Sequence, residues 1–210
     1  MDMRSPIRAL VFLYWIHAFV GGTVGVFAQI YLYQLFQSVQ LNIVAGAVFF
    51  TGIMLGFCGY GVLTAQYRLN SKYGFFLSFA ADGIGIALLP GVQTITDAGL
   101  AMLVAGIGSG FFWLTIHTFE LVETQDAERD VYSTFLSTGS QFIGLTGPAV
   151  ATLLIWTSHH YAWNEFALLF LLTPLVYLLG FFFFRSLSDY RPQPMRLYDF
   201  THFVSDRRNL

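Results

Sequence analysis

The chain has 210 residues, of which 56% are hydrophobic, 18% aromatic and only 10% charged, with a formal net charge of −2. A soluble domain carries ~25% charged residues and must wrap one core in a polar shell, so this composition excludes an ordinary soluble domain. No basic patch interleaved with aromatics occurs, which excludes a nucleic-acid partner, and the single cysteine, Cys58, excludes an internal disulfide or a cysteine metal cluster.

A membrane span needs ~20 mostly apolar residues. Six stretches meet this: residues 7–35, 41–65, 73–90, 98–119, 131–156 and 165–184. The first is much longer than the ~7–15-residue apolar core of a signal peptide, so it reads as a retained helix. The prediction is an all-α polytopic membrane protein: a six-helix bundle over residues 1–185 and a polar tail over 186–210. The lipid bilayer is its first partner. The connectors are short. The fourth, residues 120–130, holds Glu120, Glu123, Asp126, Glu128, Arg129 and Asp130 and reads as a solvated loop, or as a gate that pairs with a basic partner. In the tail, Leu197, Phe200, Phe203 and Val204 follow two prolines and would line one stripe of a short interfacial helix, or belong to a mobile tail.

All ten Lys and Arg fall on one side of a six-span chain. Arg4 and Arg8 precede the first span, Arg68 and Lys72 lie in the second connector, and Arg129 lies in the fourth. The remaining five follow the sixth span. The first, third and fifth connectors have none. The bias of basic residues toward the cytoplasm then predicts both termini there, in the inner membrane of the cell.

The first and fourth spans share a small-residue pattern. Gly21-Gly22-Thr23-Val24-Gly25 can be laid over Gly106-Ile107-Gly108-Ser109-Gly110. Glycines four apart let helix backbones approach closely. A repeat pairing helix one with helix four starts on opposite sides of the membrane, so the expected arrangement is a three-plus-three inverted repeat.

Three local features carry a family resemblance. The second connector has Gly61-Val62-Leu63, then Arg68 and Lys72-Tyr73-Gly74. This is similar to the Gly-x-Leu-x-Asp-Arg-x-Gly-x-basic motif of the major facilitator superfamily, with Ala65 and Gln66 standing where the Asp and Arg would be. The fourth span has the glycine-rich run above, and the fifth has Gly144-Leu145-Thr146-Gly147-Pro148, similar to the Gly-Pro motif of that helix. In order and sidedness the chain resembles the N-terminal six-helix half of such a transporter. The resemblance implies that the first and fourth helices line a central cavity. It also implies that Gly147, Pro148, Arg68 and Lys72 serve in gating or kinking, and that the chain is a split or truncated member needing a second six-helix half or a homodimer.

Polar groups inside spans are costly, ~2.5–3.5 kcal/mol for Asp at a helix centre, and so mark function or a hydrogen-bonded seam. Asp82 lies mid-way along the third span, with no Lys or Arg at its depth. It is a candidate for proton coupling or substrate contact, or for a hydrogen bond between helices. Ser109, Trp113, His117 and Glu120 recur at intervals of four, four and three, one face of the fourth helix. The first helix offers His17 and Gln29. The fifth offers Ser133, Ser137, Gln141, Gly144 and Pro148 on one face, which reads as a close helix contact.

Enzyme readings find no support. The rhomboid-type Gly-x-Ser-Gly has Ile107 at its first glycine, the sixth span holds no His, no Asn-Pro-Ala loop occurs, and no His pair has ligand spacing. No cofactor or metal is expected. The expected function is a secondary-transporter module moving a small-molecule substrate by alternating access, with protons as the candidate coupling ion. The alternative is a non-transporting scaffold or assembly factor on a degenerate transporter fold.

Overall fold

Inside a bilayer, backbone amides find no water, so a chain this apolar must satisfy them within helices. In the computed structural model the chain is all-α: among the described residues, 4–161 and 164–192, there is no strand. Six helices are long and apolar enough to cross a membrane: α1 (Ser5–Phe36), α2 (Val39–Tyr67), α3 (Tyr73–Gly91), α4 (Ile95–Glu123), α5 (Asp126–His160) and α6 (Ala167–Phe183). Phe50, Met54, Phe142, Leu145 and Phe182 point outward on them, each at least 60% exposed. Such an apolar exterior suits lipid and not water, and the six helices fit an integral multi-pass membrane protein.

Capping explains why the helices outrun the apolar stretches. Ser38 Oγ accepts from the Leu41 amide at 3.3 Å and starts α2. Thr94 and Asp97 form a reciprocal capping box, the Asp97 amide donating to Thr94 Oγ1 at 3.2 Å and the Thr94 amide to Asp97 Oδ2 at 2.9 Å. The acidic stretch 120–130 is therefore not a loop. α4 runs through Glu120 to Glu123, α5 begins at Asp126, and only Thr124 and Gln125 connect them. Glu128 accepts from the Gln125 amide at 3.2 Å, and an acidic first turn suits the positive end of a helix dipole. α1 and α2 end where Gln37 and Arg68 turn into the left-handed region, at φ of 50° and 51°.

The helices α2 and α3 pack most extensively on α4. A Cβ added at Gly56 would run into the backbone of Ile107, and one at Gly110 into the backbone of Ile53 and Phe57. On another face of α4, Gly108 lies against the backbone of Ser78 and Asp82, and Gly85 of α3 against Ala101 and Ala105. α1 packs on α5 and α6, with Gly147 against the backbone of Gly22. The glycines aligned by sequence behave differently. Gly106 and Gly110 are close-packed, whereas Gly21 and Gly25 would meet nothing within 4 Å. The cause is a π-helical turn over Gly21–Gly25, which interrupts the α-helical register and brings Gly22 to α5.

The basic segments meet at one end of the bundle. Arg4 Nη2 donates to the Glu123 carbonyl at 2.6 Å and pairs with Glu128 at 2.5 Å. The segment after α6 straps across the same end. Leu187 is buried, the Ser188 amide and hydroxyl both donate to Glu123 Oε1, and the Tyr190 carbonyl accepts from the Ser71 amide at 2.8 Å. Asp189 accepts from Asn70 at 2.8 Å and pairs with Lys72; these partners, Lys72 first, hold its carboxyl below the usual carboxylate range. Residues 186–190 thus lie on the bundle. The stripe of Leu197, Phe200, Phe203 and Val204 falls outside the described residues.

Because α2 and α4 touch through backbone, Gly56→Leu should destabilise the bundle by ~1–3 kcal/mol, the usual cost of overpacking. Gly59→Ala, placed in open space, should change stability little. Thermal melts followed by circular dichroism in detergent would compare the two.

Candidate functional site

Asp82 sits in the interior of the bundle, 3% exposed, because Gly108 lets α3 come down onto α4. Among the described residues, the polar contacts of its carboxyl converge on one oxygen. Tyr177 of α6 donates its hydroxyl to Asp82 Oδ2 at 2.5 Å, Ser109 of α4 donates at 3.4 Å, and His17 Nδ1 of α1 lies 3.7 Å away. Four helices therefore meet at one carboxylate oxygen. Tyr177 has a single proton, committed to Asp82, and its oxygen is also 3.3 Å from His17 Nδ1. That contact is satisfied when Nδ1 carries the imidazole proton.

Rings hold these groups in place. His17 stacks on Phe112 at a centroid distance of 3.9 Å, and Phe79 stacks on Tyr177 at 4.7 Å. Trp113 stands edge-on to His17 at 6.0 Å, an aromatic arrangement of the favoured T-shaped type.

Asp82 forms part of the wall of a cavity of about 200 Å³ between α1, α2, α3 and α4. Its walls are mostly hydrocarbon, including Val24, Phe49, Ile53 and Met102, with the polar side chains Asp82, Ser109, His17, Gln29 and the Trp113 indole among them. Gly21, Val24 and Gly25 of the π-helical turn also line it. Single π-helical turns recur at functional sites; here the two glycines leave the wall without side chains.

The structure brings five of the sequence candidates to this cavity: Asp82, Ser109, Trp113, His17 and Gln29. The stripe on α4 continues beyond it. His117 stacks on Trp113 at 5.8 Å and bonds Glu120 at 3.2 Å, toward the basic end, where His117 is largely exposed. Gln141 is exposed on the outside of α5, with Ser133, Ser137, Gly144 and Pro148. Among the described residues that face is not a helix contact. The buried seam of α5 is instead Gly147, with Gly139 against Trp15. Lys72 pairs with Asp189 at the basic end, and Arg68 is an exposed helix cap.

No family model matches the chain, and no curated protein matches it. Among the described residues no three His, Cys, Asp or Glu side chains converge as metal ligands.

Tyr177 is the residue that sequence reading missed. It is the lone tyrosine of α6, flanked by Val176 and Leu178 deep in an apolar run. A phenol that far from the membrane surface needs a partner, which was the available signal.

Tyr177→Phe should cost ~1–3 kcal/mol of stability by leaving the buried carboxyl without its nearest donor. In an Asp82→Leu background the same exchange should be neutral or stabilising, since it then removes an underserved hydroxyl. A double-mutant cycle on thermal midpoints would read that coupling.

Proposed function

We propose that the chain is one half of a secondary transporter, with Asp82 as the contact for solute or proton in a cavity at membrane depth. The observation that carries this is a buried carboxyl forming part of the wall of a mostly apolar cavity that no described Lys or Arg lines. Intramembrane carboxyls of this kind mark solute and proton pathways, and transporter sites lie near the membrane midplane between bundles. On this reading the residues do binding and coupling and not catalysis.

The resemblance to the N-terminal half of a major facilitator superfamily member agrees with this assignment. So does the pairing of helices. Exchanging α1 for α4, α2 for α5 and α3 for α6 turns the α2–α4 contact into α5–α1 and the α3–α4 contact into α6–α1, and returns α3–α6 to itself. This supports a three-plus-three inverted repeat. The basic end, gathering Arg4, Lys72 and Arg129, would be cytoplasmic, with both termini on that side of the cell's inner membrane.

A second bundle completes the proposal, either another copy or a separate six-helix half. α5 is the least buried and least apolar of the six spans. It turns Ser133, Ser137 and Gln141 outward, where hydrocarbon satisfies none of their hydrogen bonds. Gly144, open to the outside, would allow a second backbone to approach. Alternating access then consists of one bundle rocking against the other around the cavity.

Cysteine crosslinking in native membranes tests this. In a Cys58→Ala background, Gln141→Cys should give a covalent dimer or a heteromer with another membrane chain, while Leu178→Cys on the exposed side of α6 should give neither. Exclusively monomeric Gln141→Cys protein in active membranes would contradict the two-bundle reading. Asp82→Leu that preserved solute flux, with the crosslink intact, would favour the scaffold alternative.

A further inference from the structure

Resting on the reading of the cavity as a solute site, we propose that its solute class is a small organic monocation, an amine or quaternary ammonium with an apolar body. The charge inventory comes first. Among the described residues, Asp82 is the only Asp, Glu, Lys or Arg that lines the cavity, and His17 is the only other titratable lining residue. An anionic solute would meet a carboxyl and no cation. A zwitterion would leave its own carboxylate unpartnered, at a cost that grows in a low-dielectric interior.

The carboxyl also keeps acceptor capacity in reserve. Tyr177, Ser109 and His17 all approach Oδ2, and Oδ1 takes none of these contacts. One oxygen is thus held by the protein, and the other is free to accept from a ligand. An ionised carboxylate withdrawn from water is stabilised chiefly by an opposite charge beside it, and an entering ammonium supplies that charge. Trp113, the ring type that attracts cations most strongly over its face, lines the same cavity.

The rest of the wall selects size and polarity. About 200 Å³ falls below the roughly 300–1,000 Å³ of sites for drug-sized ligands, so the solute is small. Phe49, Ile53 and Met102 favour a hydrocarbon body. Ca2+ or Mg2+ takes about six oxygen ligands, whereas the described lining side chains offer oxygens only from Asp82, Ser109 and Gln29.

The test is calorimetric titration of the full chain in lipid nanodiscs, with empty nanodiscs subtracted. Three probes of similar size are used: phenyltrimethylammonium, its neutral isostere tert-butylbenzene, and benzoate. The cation should bind the unaltered chain about tenfold or more tightly than either of the others. Asp82→Asn, checked for folding by its thermal melt, should lose that preference while keeping the isostere within about threefold. The comparison of probes on the unaltered chain holds even if the variant fails to fold. Equal binding of cation and isostere would overturn the charge selection and leave the cavity as a solute site. Binding of none of the three would overturn the inference together with the solute-site reading beneath it. Tighter binding of benzoate would overturn the inference by reversing its sign.

Discussion

A bilayer tolerates a charged side chain only where water, a counter-charge or a set of hydrogen-bond donors receives it. This partition of charge shapes the molecule from end to end. The described cations cluster at one end, where Arg4 reaches the α4–α5 junction and Lys72 reaches the strap after α6. Asp82 differs, enclosed among α1, α3, α4 and α6 with no described Lys or Arg among its contacts. Its partners are a phenol, a serine and an imidazole. The site follows from that constraint: the helices that must supply those partners are brought to one point, and a cavity opens beside them.

Bringing them there depends on backbone proximity and not on the hydrophobic effect, which does little between helices in lipid. α4 carries glycine on two faces. Gly106 and Gly110 admit α2, and Gly108 admits α3, placing Asp82 one residue from the level of Ser109. α1 is fitted differently. Its π-helical turn moves Gly22 onto α5 and leaves Gly21 and Gly25 open toward the cavity. Thr23, inside this turn, returns its hydroxyl to the Phe19 carbonyl at 2.7 Å, satisfying a group that lipid would not.

The sequence made some of this legible and concealed the rest, for physical reasons. Span number was readable because the solvent enforces hydropathy. Asp82, Ser109, Trp113, His17 and Gln29 were readable as polar groups where hydrocarbon was expected, and all five reach the cavity wall. Periodicity fixes which residues share a face but not which neighbour that face meets. Hence the stripe continued to His117 and Glu120 beyond the cavity, and the α5 stripe with Gln141 proved to be exterior. Tyr177 was hidden because an isolated tyrosine in a span is commonly an interfacial anchor. The strap at 187–190 was hidden because its polar residues gave no sign that Glu123, Asn70 and Lys72 would receive them. The shift from Gly21 to Gly22 was unreadable, since a π-helical turn has no simple residue signature.

Cysteine accessibility measures the partition most directly. In a Cys58→Ala background, single cysteines at Arg68, Arg129, Asp97 and His159 would be exposed to a membrane-impermeant maleimide on sealed vesicles of known orientation. Six crossings with the cations gathered at one end require positions 68 and 129 to react from the same side, and 97 and 159 from the other. Labelling of 68 and 129 from opposite sides would contradict the six-span arrangement and, with it, an Asp82 cavity at membrane depth.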